Sequence, residues 1–417
     1  MISKLPNKKD ITDSLSIVVQ GPLNKRNIIQ TARIISGWRK IFSSCRIIFA
    51  ISQTDIVMFD GPGIISDPRL VKKYRDNGLF YDALELIAEC CDVITLSGAA
   101  VSMPPVKQGI GNNHCNLQIE AAKAGLDHVG TEYVLRTRND ILFIDDTFID
   151  FYIKNHALPR HRFAALKQRV LISEFFTLNP YTFESLPFHY SDWFHFGLTE
   201  DVRCLWDVPP YNIMDATYYE RNPYQKSTGL RERTFFSRYA VEQHLSFTVF
   251  KKFFPELTLD YHDDRTSIKE SIGVLADNFV IGGPGEIQTY FKKYNDLETD
   301  DFIHSICIPY SLWKRIIKNN EKVNYEFLFS KDIAIAKVEL INEEEDGKGL
   351  IIPHGIILKT YIFILLGILD TNRRRKLQET PKAFFRDSKS RLTRYMGKLY
   401  FRSTRPNIDA TGVNTRP

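Results

Sequence analysis

No C-x-x-C pair and no regular spacing occur among Cys45, Cys90, Cys91, Cys115, Cys204 and Cys307, so the sequence offers no disulfide framework and fits a reducing compartment. The leader MISKLPNKKDITDS lacks an apolar core and a small-residue cleavage site, which argues against a secretory signal and for a cytoplasmic location. No apolar run is long enough to span a bilayer unaided. The longest, Tyr361 to Leu369, is limited upstream by Lys359, His354 and Pro353. There is no G-x-x-x-x-G-K-S/T loop, which counts against P-loop chemistry, and neither a repeat nor a low-complexity tract. Nor is positive charge spread along the chain. The net charge is +5, yet Thr371 to Arg405 holds twelve Lys/Arg against only Glu379 and Asp387, leaving the remainder at about −5. A nucleic-acid binder would distribute its phosphate-binding charge over the folded surface, so that class is excluded.

What is present suits a large packed core: 417 residues, 43% hydrophobic, with 29 Phe and 19 Tyr to fill interiors or line pockets. Leu15 to Gln20 is a buried-strand run ending at Gly21-Pro22. Asn27 to Phe42 has helical spacing, and Arg46 to Ser52 is a second buried strand. This β-α-β order predicts a parallel sheet with right-handed crossovers. A helix over Tyr81 to Cys90, a strand over Asp92 to Leu96, a helix over Asn113 to Asp127 and a strand over Tyr133 to Arg138 continue it. From Arg162 to Asp207 the pattern changes to short aromatic strands and loops. A helix over Phe236 to Phe254 and a late strand over Asn278 to Ile281 follow.

In open α/β sheets ligands bind beyond the carboxyl ends of the strands, which directs attention to Arg136, Arg138, Asn139 and Asp140. Asp140 occupies the last place of a D-x-D-like motif whose earlier acid is replaced by Arg138. An arginine there can pair with phosphate oxygens, or Arg138 and Asp140 can form a surface ion pair. Upstream, Asn113, Asn116 and Gln118 gather amides at a helix start, where they cap the helix or reach a base and ribose. In HYSDWFHFG, Asp192, Trp193 and His195 have the aromatic-plus-acid character of a carbohydrate subsite, and equally that of a packed strand. Glu242 on the helix RYAVEQHL is the first candidate base and Asp192 the second; a solvated helix face is the other reading of Glu242. His262, in YHDDRTS, is a candidate late metal ligand or part of a polar turn.

The order SIVVQGP, RIIFAIS, N-x-x-N-x-Q-x-x-x-A-x-x-A-G-L, YVLRTRNDI, DWFHFG and EQHL resembles the WavE lipopolysaccharide-synthesis family, over roughly Ser14 to Ile281. Where that family's pattern is closer to R-T-D this chain reads RTRND, so Asp140 carries over and a role for Asn139 does not.

The resemblance implies a GT-A-like Rossmann-type, mostly parallel sheet flanked by helices. It implies a bacterial glycosyltransferase moving a sugar from a nucleotide-sugar to a lipid-linked glycan, with inversion assumed. The expected sites are Gln20, Gly21, Pro22, Asn113, Asn116, Gln118, Arg136 and Arg138 for the nucleotide-sugar and Trp193 and His195 for the acceptor. Glu242 and Asp192 would serve catalysis, and Asp140 and His262 a divalent Mn or Mg ion. The expected organisation is a catalytic domain over 1–290, its nucleotide part 14–150 and acceptor part 151–290. An accessory region over 291–350, a basic amphipathic helical region over 351–405 and a disordered tail over 406–417 complete it. Basic amphipathic helices bind anionic membranes, so a peripheral place on the inner face of the inner membrane is expected. Nucleotidyl or phosphoryl transfer and a non-catalytic sugar-nucleotide scaffold remain as alternatives.

Overall fold

The computed structural model describes residues 6–23, 27–52, 78–182, 184–229, 232–291, 306–319 and 328–329, with only the backbone described at 78–81, 84, 290 and 291. The chain divides into two units, Met1–Glu344 and Glu345–Pro417, and every described residue belongs to the first. The expected basic region 351–405 and tail 406–417, with most of 291–350, lie outside the described residues.

After the short helix α1 (Lys8–Asp13), the chain alternates β1 (Leu15–Gln20), α2 (Ile28–Ile41), β2 (Arg46–Ile51), α3 (Gly78–Cys90), β3 (Val93–Leu96), α4 (Cys115–Asp127) and β4 (Tyr133–Arg138). Strands β1 and β2 are apolar on both faces because helices cover both, and they pair in parallel with each other and with β4 and β3. Beyond β4 come β5 (Ile141–Phe143), α5 (Thr147–Asn155), β6 (Val170–Ser173), β7 (Phe194–Leu198), α6 (Thr199–Trp206), α7 (Val241–Phe253), α8 (Ile268–Asn278), β8 (Phe279–Gly282), β9 (Thr289–Phe291) and α9 (Tyr310–Asn319). The seven-stranded sheet has the order β3-β2-β1-β4-β7-β6-β8. Only β7 runs antiparallel to its neighbours, and β5 and β9 form a separate antiparallel pair. The mostly parallel, helix-flanked α/β sheet expected from the sequence is the architecture found, with β7 the departure.

On one face, Trp38 of α2, Phe143 of β5 and Phe148 of α5 pack with Phe194 and Phe196 of β7, at centroid distances from 4.7 to 5.4 Å. On the other, α4 lies so close to β1 and β2 that a Cβ on Gly125 would sit 2.5 Å from Val18 and 2.9 Å from Ala50. Among the described residues no helix is long and apolar enough to cross a membrane.

Candidate active site at the carboxyl edge of the sheet

The parallel register places Gln20 beside Arg138 and Val18 beside Arg136, so β1 and β4 end together. Buried amides hold the two ends. The Gln20 amide donates to the carbonyl of Gln118 (2.7 Å), and its oxygen accepts from Arg136 Nε (2.7 Å). Asn139 donates to the Pro22 carbonyl (2.7 Å) and Thr31 Oγ1 (3.0 Å), and its backbone N–H to Gln20 O (2.8 Å). A Cβ on Gly21 would fall 2.1 Å from Asn139 Oδ1, so glycine is required there by close approach. Asn139, to which the resemblance gave no role, is thus the lock of this edge.

Arg136 is 1% exposed. Besides Gln20, it donates to the Asp192 carbonyl, and its guanidinium lies 4.1 Å from the centre of the Trp206 ring. Burial lowers its pKa to about 9. Its position is interior, where it braces the site instead of presenting a fork to phosphate. Arg138, one pleat further out, is half-buried. It lies over Trp193 (5.5 Å) and makes two bonds to Asp140, at 2.9 and 2.6 Å.

Three acidic or imidazole groups gather nearby. Glu242 sits in the first turn of α7 with its side chain 20% exposed, and its Oε2 is 3.3 Å from His189 Nε2. Asp192, 5% exposed, lies within electrostatic reach of Glu242. Burial raises the pKa of both carboxyls. For Asp192 the Glu242 charge adds to that and Arg136, Arg138 and His189 oppose it; for Glu242 the opposing charges are Arg138 and Lys107. Burial takes the His189 pKa down to about 4. Two non-glycine residues with left-handed backbone flank this imidazole, Phe176 (φ 62°) and Phe188 (φ 60°). Strain of that kind collects at functional sites.

The other expected residues are placed as follows. Asn116 spends both ends of its amide on the backbone of Tyr211, at 2.6 and 3.0 Å. Asn113 Oδ1 accepts from the Cys115 N–H that begins α4 (2.8 Å). Asn113 Nδ2, Gln118 Oε1 and Ser52 Oγ are buried polar atoms with no hydrogen-bond partner among the described residues. Trp193 is 3% exposed and packs on Phe175 and Phe176, at 6.0 and 5.3 Å. His195 Nδ1 accepts from Trp206 Nε1 (3.1 Å). Instead of the expected open acceptor platform, these two rings are core: the alternation in HYSDWFHFG serves the packing of β7. Asp192, His195 and Trp206 border a small cavity with room for a water-sized group.

The family model described as WavE lipopolysaccharide synthesis matches residues 98–341, more than half of the chain. The chain belongs to the WavE lipopolysaccharide-synthesis family. The WavE match starts later than the motif resemblance and runs beyond it, and it takes in the whole cluster of Arg136, Arg138, His189, Asp192 and Glu242. Among solved structures, a crystal structure of an active-site mutant of LgtC is similar at 9% sequence identity and a TM-score of 0.25. The similarity covers 51% of this chain and 66% of that one, so the WavE chain spans just under two thirds of that neighbour's length. No curated protein matches the chain.

The residues expected to hold a divalent metal in the WavE chain do not fit that role. The Asp140 carboxylate is bound twice by Arg138. Both His262 ring nitrogens are committed: Tyr219 OH donates to Nδ1 (2.8 Å) and Nε2–H donates to the Glu232 carbonyl (3.0 Å). Stacked on Phe235 at 4.1 Å, His262 is an interior imidazole whose pKa burial lowers to about 3. Among the described residues no group of three or more His, Cys, Asp or Glu is arranged to hold a metal.

Sequence reasoning left His189, Lys107 and Gln243 without a role. His189 stood in a motif already singled out, but nothing local ties it to Glu242. Gln243 had a signal in the helix start AVEQ, since Gln at the third helical position commonly reaches back to the cap. Here its Oε1 accepts from the Ala240 N–H (3.0 Å).

Proposed function

We propose that this WavE-family protein is a nucleotide-sugar-dependent glycosyltransferase of surface-polysaccharide assembly, with the carboxyl edge of β1 and β4 as its active site. The observation that carries the reading is the Glu242 carboxyl, half-buried against His189 and raised in pKa, within electrostatic reach of Arg138 at the strand edge of an open α/β sheet. A group of that kind is suited to take the proton of an acceptor hydroxyl as that oxygen attacks the anomeric carbon. The bond to the nucleoside diphosphate breaks with its electron pair leaving on phosphate. Arg138 supplies charge for the leaving group, which competes with Asp140 for the guanidinium. Glu242 raises the pKa of Asp192 through space, and the Asn113, Gln118 and Ser52 atoms without a partner among the described residues offer amide and hydroxyl contacts to base and ribose.

The acceptor is a lipid-linked glycan in this reading, and the basic sequence between Thr371 and Arg405 holds the protein to an anionic membrane surface. Cosedimentation with anionic and neutral vesicles checks the second part; equal binding to both, or to neither, counts against it.

The first test is thermal unfolding of the full chain against UDP, GDP, CMP and TDP, each with Mn²⁺ and with EDTA. One nucleotide at about a hundred times its Kd stabilises by roughly 2.7 kcal/mol. A folded protein that responds to none of them refutes the reading.

A further inference from the structure

We infer that His189 is the positioning residue of the base: its Nε2 lone pair faces the Glu242 carboxylate and bonds the proton that Glu242 takes up in transfer, which makes Glu242 a better proton acceptor. The inference rests on the role of Glu242 proposed above. It begins from the ring's other nitrogen. His189 Nδ1 lies 2.9 Å from the Phe176 carbonyl, which can only accept, so Nδ1 carries a hydrogen. With that tautomer fixed, a neutral ring presents a lone pair at Nε2, and Nε2 is 3.3 Å from Glu242 Oε2. Lone pair facing carboxylate is repulsive. One proton between the two atoms, on either of them, turns the contact into a hydrogen bond. The proton-bound form of the pair is therefore bonded and the proton-free form is not, which favours proton uptake.

The surrounding groups make this contact hard to relax. Gln243, next to Glu242, donates to the Pro187 carbonyl and to the His262 carbonyl, both at 2.7 Å. Ser271 of α8 accepts from the Phe188 N–H (2.7 Å), and its carbonyl accepts from Tyr190 OH (2.6 Å). The Leu178 N–H donates to the His189 carbonyl (2.9 Å). His189 is thus bracketed on both sides, between the two left-handed phenylalanines. The charged groups facing the pair are Glu184 and Asp192, which favour imidazolium, Lys107, which opposes it, and Arg138, which with Lys107 favours the Glu242 carboxylate. Buried Cys115 also lies within reach of Asp192 and Glu242, with its thiol pKa raised far above the ordinary value.

In the transfer step, the acceptor O–H bond breaks and its oxygen bonds the anomeric carbon. The proton passes to Glu242 Oε, where His189 Nε2 accepts the resulting O–H, and the glycosyl–phosphate bond breaks toward the nucleoside diphosphate.

The test is long-range ¹H–¹⁵N correlation spectroscopy on the full chain labelled with ¹⁵N-histidine, with His189→Gln identifying the resonance. Expected are an Nδ1–H tautomer from pH 5 to 8 and an Nε2 shift that moves with pH in the wild type but not in Glu242→Gln. An Nε2–H tautomer, or the same pH course in both proteins, overturns the inference. If His189→Gln does not fold, the resonance perturbed by Glu242→Gln identifies His189 instead. This readout needs no substrate, so it stands apart from failure of the transferase reading. Where transfer is measurable, His189→Gln lowers it about tenfold at neutral pH, on the scale of one charge-assisted hydrogen bond. It also moves the acid limb of the pH profile to lower pH. A uniform loss at every pH would mark a merely structural residue.

Discussion

Glu242 owes its chemistry to burial at a helix start, and the same burial makes it a liability to the fold. Its carboxyl pKa is raised in the folded protein, so the acid contributes stability below its unfolded value, and that contribution is lost as pH rises through the folded pKa. Glu242→Gln removes the ionisation. Its stability relative to wild type therefore improves between about pH 4.5 and neutrality, while transfer falls by roughly 10² to 10⁴. Denaturant titrations at pH 4.5 and pH 7 check the first half; a variant that loses ground on going to neutral pH contradicts it. Asp140 gives a second prediction. Because Arg138 holds both of its oxygens, nucleotide binding survives EDTA, and Asp140→Asn frees Arg138 and tightens the binding of a nucleoside diphosphate. Calorimetry decides it, and binding abolished by EDTA would restore the metal. The sequence exposed Asp192 because an acid between aromatic residues demands explanation, and Glu242 because the transferase reading that the resemblance implies needs a base, which that helix can supply. It could not expose His189, whose link to Glu242 exists only once α7 has docked on the loop before β7.

At the scale of elements, β1 and β4 were legible to the residue, because continuous apolar runs closed by Gly-Pro or by polar residues leave little choice. Helix α4 was legible through its small residues, and the structure gives their reason: Ala121, Ala122 and Gly125 let α4 approach the sheet. Gly125→Ala forces a methyl group against Val18 and Ala50, a misfit expected to cost about 1–3 kcal/mol in denaturant unfolding. Gly21→Ala drives a Cβ into Asn139 and should disturb the site as well, lowering nucleotide affinity along with stability. An unchanged unfolding midpoint for both would show that α4 and the β1 edge give way easily. Helices α5, α6 and α8 went unread in the sequence. Helix α6 lies in the aromatic stretch Arg162 to Asp207, where helix and strand periodicities overlap, and in all three tertiary packing of Phe148, Trp206 and Leu275 decides the matter.

Across the whole molecule, opposing titrations set the response to acid. His156, His189, His195, His244 and His262 are buried with lowered pKa values, reaching about 4 at His189 and about 3 at His262 from an ordinary 6.5. In the unfolded chain they bind protons below pH 6.5, while in the folded protein they do so at lower pH. The stability they represent is present above 6.5 and lost as pH falls toward their folded values. Each pH unit in that window withdraws up to about 1.4 kcal/mol per histidine. Asp192, Asp201, Glu242 and Asp263, with raised values, act in the opposite direction over part of the same window. They are four against five imidazoles, and His189 and His262 lie far below their ordinary value, so the imidazoles are expected to win. The unfolding midpoint should therefore fall steadily from pH 6.5 to pH 4.5, with net proton uptake on unfolding. A midpoint that holds or rises across this interval would mean that the carboxyls dominate, and that Glu242 is protonated over more of the pH range than its role as a base allows.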